Sequence, residues 1–351
     1  MSDGVALAEL TTIRLGGPAE RLVKAVTEEQ LIETVAQADA AGEPLLVLGA
    51  GSNMVVADAG VGGAVIRIAT RGVSSSSVDG RVRLAVAAGE SWAELVGRTT
   101  AERLAGIECL AGIPGTAGAT PIQNVGAYGQ QVSETIVSVR AYDRDARAVV
   151  ELDGDECGFA YRSSRFRASA RFVVLAVTLE LERAALARPL RHQELARTLG
   201  VATGARAPLT EVGAAVLTLR RGKGMVLDSD DPDSVSVGSF FVNPILSAER
   251  YAELEWRAAE RLGPRLSPPA WPEADGRVKT SAAWLIEQAG FRRGYGTGRV
   301  GISTKHTLAL VNRGGATTGE LLALAREIRG GVQRSFGVTL TPEPMLVGVE
   351  L

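Results

Sequence analysis

Apolar positions along the chain recur with two periods, near 3.6 and near 2, in alternating stretches. Leu31, Ile32, Val35 and Ala38 stand at helical spacing behind Thr27-Glu28-Glu29-Gln30, a capping box, and Gly42 supplies a stop. This predicts a helix over 28–41. Residues 44–48 read as a short buried strand, and Val55-Val56-Ala57 and 64–68 as two more. A second unit repeats the logic: 82–87 alternates as a strand, and Ser91 with Glu94 opens a helix that Gly106 ends. Strands follow at 136–142, 148–152 and 172–181. Ser74–Ser77 reads as a surface turn, and the Ala-rich, weakly patterned stretch 184–213 as a linker. The last third predicts a strand at 239–242 and helices near 247–262, 280–289 and 318–336. Residues 338–351 alternate as a strand that must pair with something already built. These elements predict an α+β chain of several small sheets, without the strict βαβ alternation of one large parallel sheet.

Composition narrows the functions open to such a chain. With 351 residues and a formal net charge of −2, it is long enough for two or three domains. It has no bulk charge with which to hold nucleic acid or an anionic membrane. Any anionic ligand must be met locally. Two cysteines, Cys109 and Cys157, and two histidines, His192 and His306, predict neither a disulfide scaffold nor a metal site. The start Met1-Ser2-Asp3-Gly4 lacks the features of a signal peptide, so a cytoplasmic protein is expected. The uncharged run from Cys109 to Ser133 would reach across a bilayer on length alone. Its glycines, prolines and amides could not be satisfied there, so it is not a membrane helix.

Two segments carry candidate chemistry. Gly49-Ala50-Gly51-Ser52-Asn53-Met54 follows a buried strand, and its small residues can turn consecutive N–H groups toward a phosphate. It is neither a Rossmann fingerprint, because Met54 stands where the third glycine belongs, nor a P-loop; a tight hairpin is the alternative. The second is the neutral loop from Cys109 to Gly129, rich in small residues and amides. It suits close backbone approach to a large flat ligand with a pyrophosphate, the alternative being a buried irregular connection.

These residues carry a resemblance. Thr11-Thr12-Ile13-Arg14-Leu15-Gly16-Gly17, the stretch from Gly49 to Asp58, the loop from Pro114 to Gly129, Tyr161-Arg162-Ser163-Ser164-Arg165-Phe166, Gly238-Ser239-Phe240-Phe241-Val242-Asn243-Pro244, Trp284-Leu285-Ile286-Glu287-Gln288-Ala289-Gly290 and Pro342-Glu343-Pro344 follow one another as in the UDP-N-acetylenolpyruvoylglucosamine reductase (MurB) family. The chain is similar to that family, in its type I form, over nearly its whole length. The resemblance implies a vanillyl-alcohol-oxidase/PCMH-type FAD-binding fold of two α+β subdomains, at 1–70 and 71–205, the second with a trailing linker. An α+β substrate-binding domain at 206–337 and a C-terminal strand at 338–351 returning to the active site would follow.

What the family does is then expected here: NADPH-dependent, FAD-mediated reduction of UDP-N-acetylglucosamine enolpyruvate to UDP-N-acetylmuramate in peptidoglycan precursor synthesis. Residues 1–191 contain no histidine, so FAD is expected to be non-covalent, with Cys109 the alternative point of attachment. By position in the motifs, Arg162, Ser239 and Glu343 are the catalytic candidates. Arg162 would fork onto a carboxylate, Ser239 would donate a proton, and Glu343 would either polarise the enolate or relay a proton. Gly49, Ala50, Gly51, Ser52, Asn53, Met54, Ile113, Pro114, Gly115, Thr116, Gly118, Ala119, Gln123, Asn124, Gly126, Tyr128 and Val174 are implied at FAD. Tyr161, His192, Lys223, Asn243 and Gln288 are implied at the substrate, Tyr128 and Tyr161 both lying at the flavin edge. His192 falls at or beside the position where the type I pattern has a tyrosine that closes over the nucleotide; an exposed helix residue is its alternative. The partner expected is a small-molecule UDP-sugar ether, with the protein a monomer. Competing readings are an FAD oxidase or dehydrogenase of a small hydroxy acid or alcohol, which lacks the Ser239 and Glu343 pair, and a non-enzymatic flavin or nucleotide-sugar binding protein, which lacks one of the three catalytic candidates.

Overall fold

The structure is a computed structural model that describes residues 4–351. Cα packing divides the chain into two units. The first comprises residues 4–5, Ala19–Gly51 and Val61–Val226; the second comprises Ala6–Pro18, Ser52–Gly60 and Leu227–Leu351. Among the described residues no helix is long and apolar enough to cross a membrane.

Two large sheets organise the first unit. In the smaller, Ala19–Ala25, Val61–Ile68 and Leu45–Leu48 lie parallel in that spatial order. The helix Glu28–Ala41 makes the crossover, and it starts and stops where its caps dictate. Thr27 accepts from the Gln30 N–H at 3.2 Å, and Gly42 adopts a left-handed φ of 63°. The Gln30 side chain, however, reaches past Thr27 to the N–H of Val26 at 2.9 Å. The larger sheet is antiparallel, in the order Ala148–Asp153, Ile136–Asp143, Phe172–Arg183, Arg81–Ala87, Val73–Val78, with Leu104–Ala105 also pairing to the long central strand. That strand is buried on both faces. Val174, Val177, Leu179 and Leu181 enter the main core with Trp92, Ile107 and Leu110, while Val173 and Leu175 pack with Leu31, Val35 and Ile66 beside the crossover helix.

Several sequence expectations are corrected. Ser74–Ser77 is not a turn: it lies within the exposed edge strand Val73–Val78, held by pairing to Arg81–Ala87. The helix opened by Ser91 ends at Ala101, before Gly106. The stretch 184–213 is not a linker. It includes the helix Gln193–Thr198 and the start of Leu209–Gly222, and Leu195, Ala196, Ala207, Leu209 and Val212 are buried in the main core. Apolar burial therefore puts the unit boundary after Val226, beyond the 205/206 border read from sequence.

The second unit is built around the helix Thr318–Phe336 and the antiparallel sheet Ser236–Ser239, Ala309–Asn312, Val300–Ile302. Asp58 and a Thr317–Glu320 capping box hold the helix start, the Asp58 carboxylate accepting from Thr318 and Gly319 N–H at 2.7 and 3.0 Å. Two further expectations shift here. The strand predicted at 239–242 runs over Ser236–Ser239, so Ser239 closes it; Phe240 and Phe241 instead plunge into the core, ring to ring at 5.1 Å. Of residues 338–351 only Met345–Val347 is strand, and it does pair with something already built, lying parallel to Met54–Val56.

Candidate functional site

The two FAD-candidate loops meet in the first unit. A β-carbon on Gly49 would stand 2.7 Å from Thr116 Oγ1, closer than side chains tolerate, so a larger residue here would force Thr116 to shift. Gly118 is pressed in the same way onto Ala88, where an added β-carbon would meet the Ala88 Cβ at 2.4 Å. Backbone bonds fix this approach: Gly118 N–H donates to Ala88 O at 2.9 Å, Ala117 N–H to Glu90 O at 2.8 Å, and Trp92 N–H to Gly115 O at 3.1 Å. The strand before Gly49 and the strand after Asn53 belong to different sheets, which excludes the hairpin alternative for that loop. Ile113, Pro114, Gly115 and Ala119 are half-buried along the neutral loop, and Val174 is buried in the central strand of the large sheet.

The far end of the neutral loop is a two-residue hairpin. Gly126–Ala127 pairs with Gln130–Gln131, and Tyr128 and Gly129 both take positive φ, 48° and 85°, as a type I′ turn requires. Its base is closed by a buried clamp. The Glu108 carboxylate, fully buried, accepts from Gly106 N–H at 2.7 Å and Gln130 Nε2–H at 2.9 Å, and Gln130 Oε1 accepts from Cys109 N–H at 2.8 Å. Burial pushes the Cys109 thiol far above its ordinary range, so the thiolate that attachment to a flavin needs is suppressed.

Arg162 is presented by a tight turn on this loop. Tyr161 and Arg162 lie between Ala160 and Ser163, whose backbones bond to each other, and Arg162 has φ 52°, a strained conformation for an arginine. Three side chains hold the turn down: Asn124 Nδ2–H donates to Ala160 O at 3.1 Å, Ser164 Oγ–H to Ile122 O at 2.6 Å, and Arg167 Nη1–H to Arg162 O and Gln123 Oε1, both at 3.3 Å. Asn124 is buried, its amide also bonding Gln131 Oε1 at 2.7 Å and the Ser133 N–H at 3.2 Å. Its side chain is thereby a positioning group between the loop and the Arg162 turn. The Arg162 guanidinium lies 5.8 Å from the centre of the Tyr161 ring.

A second cluster in this unit joins three more candidates. His192 is the N-cap of Gln193–Thr198, its Nδ1 accepting from Leu195 N–H at 3.4 Å, and its ring meets Tyr128 edge-on at 5.0 Å. It is therefore a half-buried cap rather than an exposed helix residue, and burial holds its imidazole below the usual histidine range. Lys223, the C-cap of Leu209–Gly222, reaches Glu194 Oε2 at 2.6 Å and passes 5.4 Å from the Tyr128 ring centre. Burial raises the Tyr128 hydroxyl to about 12, so Tyr128 stays neutral.

The second unit gathers the rest. Parallel pairing of Met54–Val56 with Met345–Val347 seats Asn53 against the Pro342-Glu343-Pro344 turn. Glu343 N–H donates to Phe240 O at 2.8 Å, which sets Glu343, 8% exposed, beside the residue that follows Ser239. Thr12 Oγ–H ties the Thr11–Gly17 segment to Ser236 O at 2.7 Å and Ser52 O at 3.5 Å. Asn243 Oδ1 accepts from Ala282 N–H at 3.0 Å, and Gln288 closes the helix Ala282–Gln288 that this bond helps to start. The candidates thus divide: Arg162, Lys223 and His192 belong to the first unit, and Ser239, Glu343, Asn243 and Gln288 to the second.

The residues fit FAD. The Gly49 and Gly118 contacts press the glycine loop and the strand end at Ala88 onto the neutral loop, which offers backbone N–H groups in place of charge. Comparison with known proteins agrees. Residues 19–150 match the family model described as FAD binding domain, and 231–347 that described as UDP-N-acetylenolpyruvoylglucosamine reductase, C-terminal domain. The chain is 58% identical to the reductase of that name from Thermobifida fusca, covering 99% of this chain and 98% of the relative. It is also 58% identical to that from Streptomyces coelicolor, covering 98% and 90%. The solved structure of the reductase from Thermus caldophilus covers 98% of both chains at 26% identity, with a TM-score of 0.65. The fold and the site together define an FAD-dependent oxidoreductase with the flavin domain expected from sequence. The chain belongs to the UDP-N-acetylenolpyruvoylglucosamine reductase (MurB) family.

Proposed function

We propose that this protein reduces the enolpyruvyl ether of UDP-N-acetylglucosamine to UDP-N-acetylmuramate with NADPH, in the cytoplasmic synthesis of peptidoglycan precursors. The observation that carries this reading is the 58% identity, along 99% of the chain, to a reductase named for that substrate. Non-covalent FAD, held by the loops at 49–54 and 113–128, supplies two-electron chemistry between nicotinamide and substrate. The chain's own residues do the rest. Arg162 holds the enolpyruvyl carboxylate through its planar guanidinium, and so stabilises the charge that develops when the methylene carbon gains its hydrogen. Ser239 gives its hydroxyl proton to the neighbouring carbon. A serine hydroxyl is a weak acid, and it serves because the carbon it protonates is strongly basic and because a further donor restores the proton. Glu343, whose backbone N–H bonds the carbonyl of Phe240 next to Ser239, either restores that proton or polarises the enolate. Lys223, His192, Tyr161, Asn243 and Gln288 bind the uridine diphosphate and sugar.

The test is product analysis. Incubation of the FAD-loaded protein with NADPH and UDP-N-acetylglucosamine enolpyruvate is expected to yield one UDP-N-acetylmuramate per NADPH oxidised. NADPH oxidation that instead consumes oxygen and leaves the ether unreduced contradicts the proposal.

A further inference from the structure

The helix Leu209–Gly222 buries Leu209, Val212 and Val216 along one face, and Arg220 continues the four-residue stripe into the core. It is 9% exposed. Its Nη2–H donates to the Met225 carbonyl at 2.6 Å, whereas its Nε–H is buried and meets no acceptor among the described residues. That nitrogen lies 3.7 Å from where a β-carbon on Gly112 would stand, at the start of the neutral loop. A buried guanidinium with an N–H left over is unfavourable unless an anion reaches it. Its electrostatic neighbours are the Tyr128 hydroxyl and Arg162, the latter a like charge. Burial draws the Arg220 guanidinium down to about 10, with Tyr128 opposing that shift and Arg162 adding to it, and it is still protonated at neutral pH.

We infer that Arg220 is the second guanidinium of an anion subsite in the first unit, sharing with Arg162 one planar carboxylate of the substrate. This rests on the function proposed above and adds to it a residue that no sequence motif singled out. Two guanidiniums on one carboxylate explain why an arginine rather than a leucine ends the apolar stripe. They also explain why Arg162 is held in a strained turn near a like charge.

The test compares two ligands that differ in the carboxylate, UDP-N-acetylglucosamine enolpyruvate and UDP-N-acetylglucosamine. Their affinities for the FAD-loaded protein are read from the change in flavin absorbance. The wild type is expected to prefer the carboxylate-bearing ligand by on the order of tenfold or more. Arg220→Gln is expected to erase most of that preference while leaving affinity for UDP-N-acetylglucosamine within about twofold, and Arg220→Lys, which keeps charge but not the fork, to restore part of it. A wild type with no preference sinks the substrate reading, and this one with it, before any variant is made. A full preference retained in Arg220→Gln overturns this inference alone. So does a lowered midpoint potential of bound FAD with the preference intact, since the charge would then serve the cofactor. If the Gln variant does not fold, an undiminished preference in the Lys variant overturns the inference equally.

Discussion

The side-chain amide of Asn53 donates to the main-chain carbonyl of Glu343 at 3.4 Å, and the Asn53 carbonyl accepts from Met345 N–H at 2.9 Å. Residues from opposite ends of the chain are locked together by these bonds and by the parallel ladder that continues from them. With its own N–H on Phe240 O, the Glu343 backbone is fixed from two directions before any ligand arrives, as a preorganised group requires.

Ser239→Ala is expected to leave reduction of bound FAD by NADPH nearly unchanged and to slow substrate reduction by about 10²–10⁴-fold, the contribution of a positioned proton donor. Glu343→Gln should divide the two half-reactions in the same sense. Stopped-flow measurement of each half-reaction checks both, and an equal loss in the two halves would remove Ser239 from the proton-donor role.

Gly49→Ala should weaken FAD retention and lower stability by ~1–3 kcal/mol, because the new methyl strikes Thr116 Oγ1. Thr116→Ala in the same chain removes the obstructing atom, leaving the Thr116 β-carbon position 3.8 Å away, and is expected to recover most of the melting temperature. If the double variant is as damaged as Gly49→Ala alone, the contact is not what demands glycine.

Glu108→Ala orphans the Gly106 N–H and the Gln130 amide inside the core, about 1–3 kcal/mol for each donor. Since Gln130 also holds Cys109 N–H, the neutral loop loses its closure, and bound flavin should dissociate more readily. Glu108→Gln keeps an acceptor and should fall between. Thermal unfolding of the apo protein, together with flavin release followed by fluorescence, separates these effects; normal flavin retention in Glu108→Ala would show that the clamp does not shape the loop.

Asp143 receives Arg171 Nε–H at 2.8 Å and Nη2–H at 2.5 Å, along with the N–H groups of Asp145 and Ala146. The arginine, foremost, holds its carboxyl down to about 2, from an ordinary value near 3.8. A depressed carboxyl pKa contributes stability that is complete above the unfolded value and disappears as pH falls through the folded one. The melting temperature should therefore carry an Asp143-dependent decline between about pH 4 and pH 2, absent in Asp143→Asn. Parallel profiles for the two proteins would exclude this contribution.

Helices whose caps stand next to their apolar stripe were legible with their boundaries: Thr27 with Gly42, and Thr317 with Gly337, fix 28–41 and 318–336 locally. Elements that depend on distant pairing were not. Four serines make no strand until Arg81–Ala87 offers its edge. The stretch 184–213 is short helix and loop that only the core behind it organises. The strand at Ser239 was displaced because Phe240 and Phe241, read as strand, serve the core of the second unit. Within the candidate site, glycine and amide motifs marked out the two candidate loops, but not that Asn124 spends its amide on the Arg162 turn, a tertiary bond with no sequence period. Arg220 did leave a trace, as the one charged member of an apolar row at 212, 216 and 220.

In the proposed reaction, electrons from NADPH pass through FAD to an enolpyruvyl ether. Anaerobic reduction of the FAD-loaded protein with one equivalent of NADPH, followed by UDP-N-acetylglucosamine enolpyruvate, tests it directly through the flavin absorbance. Rapid return of the oxidised spectrum without oxygen is the predicted result. A flavin that stays reduced until air is admitted would contradict the account.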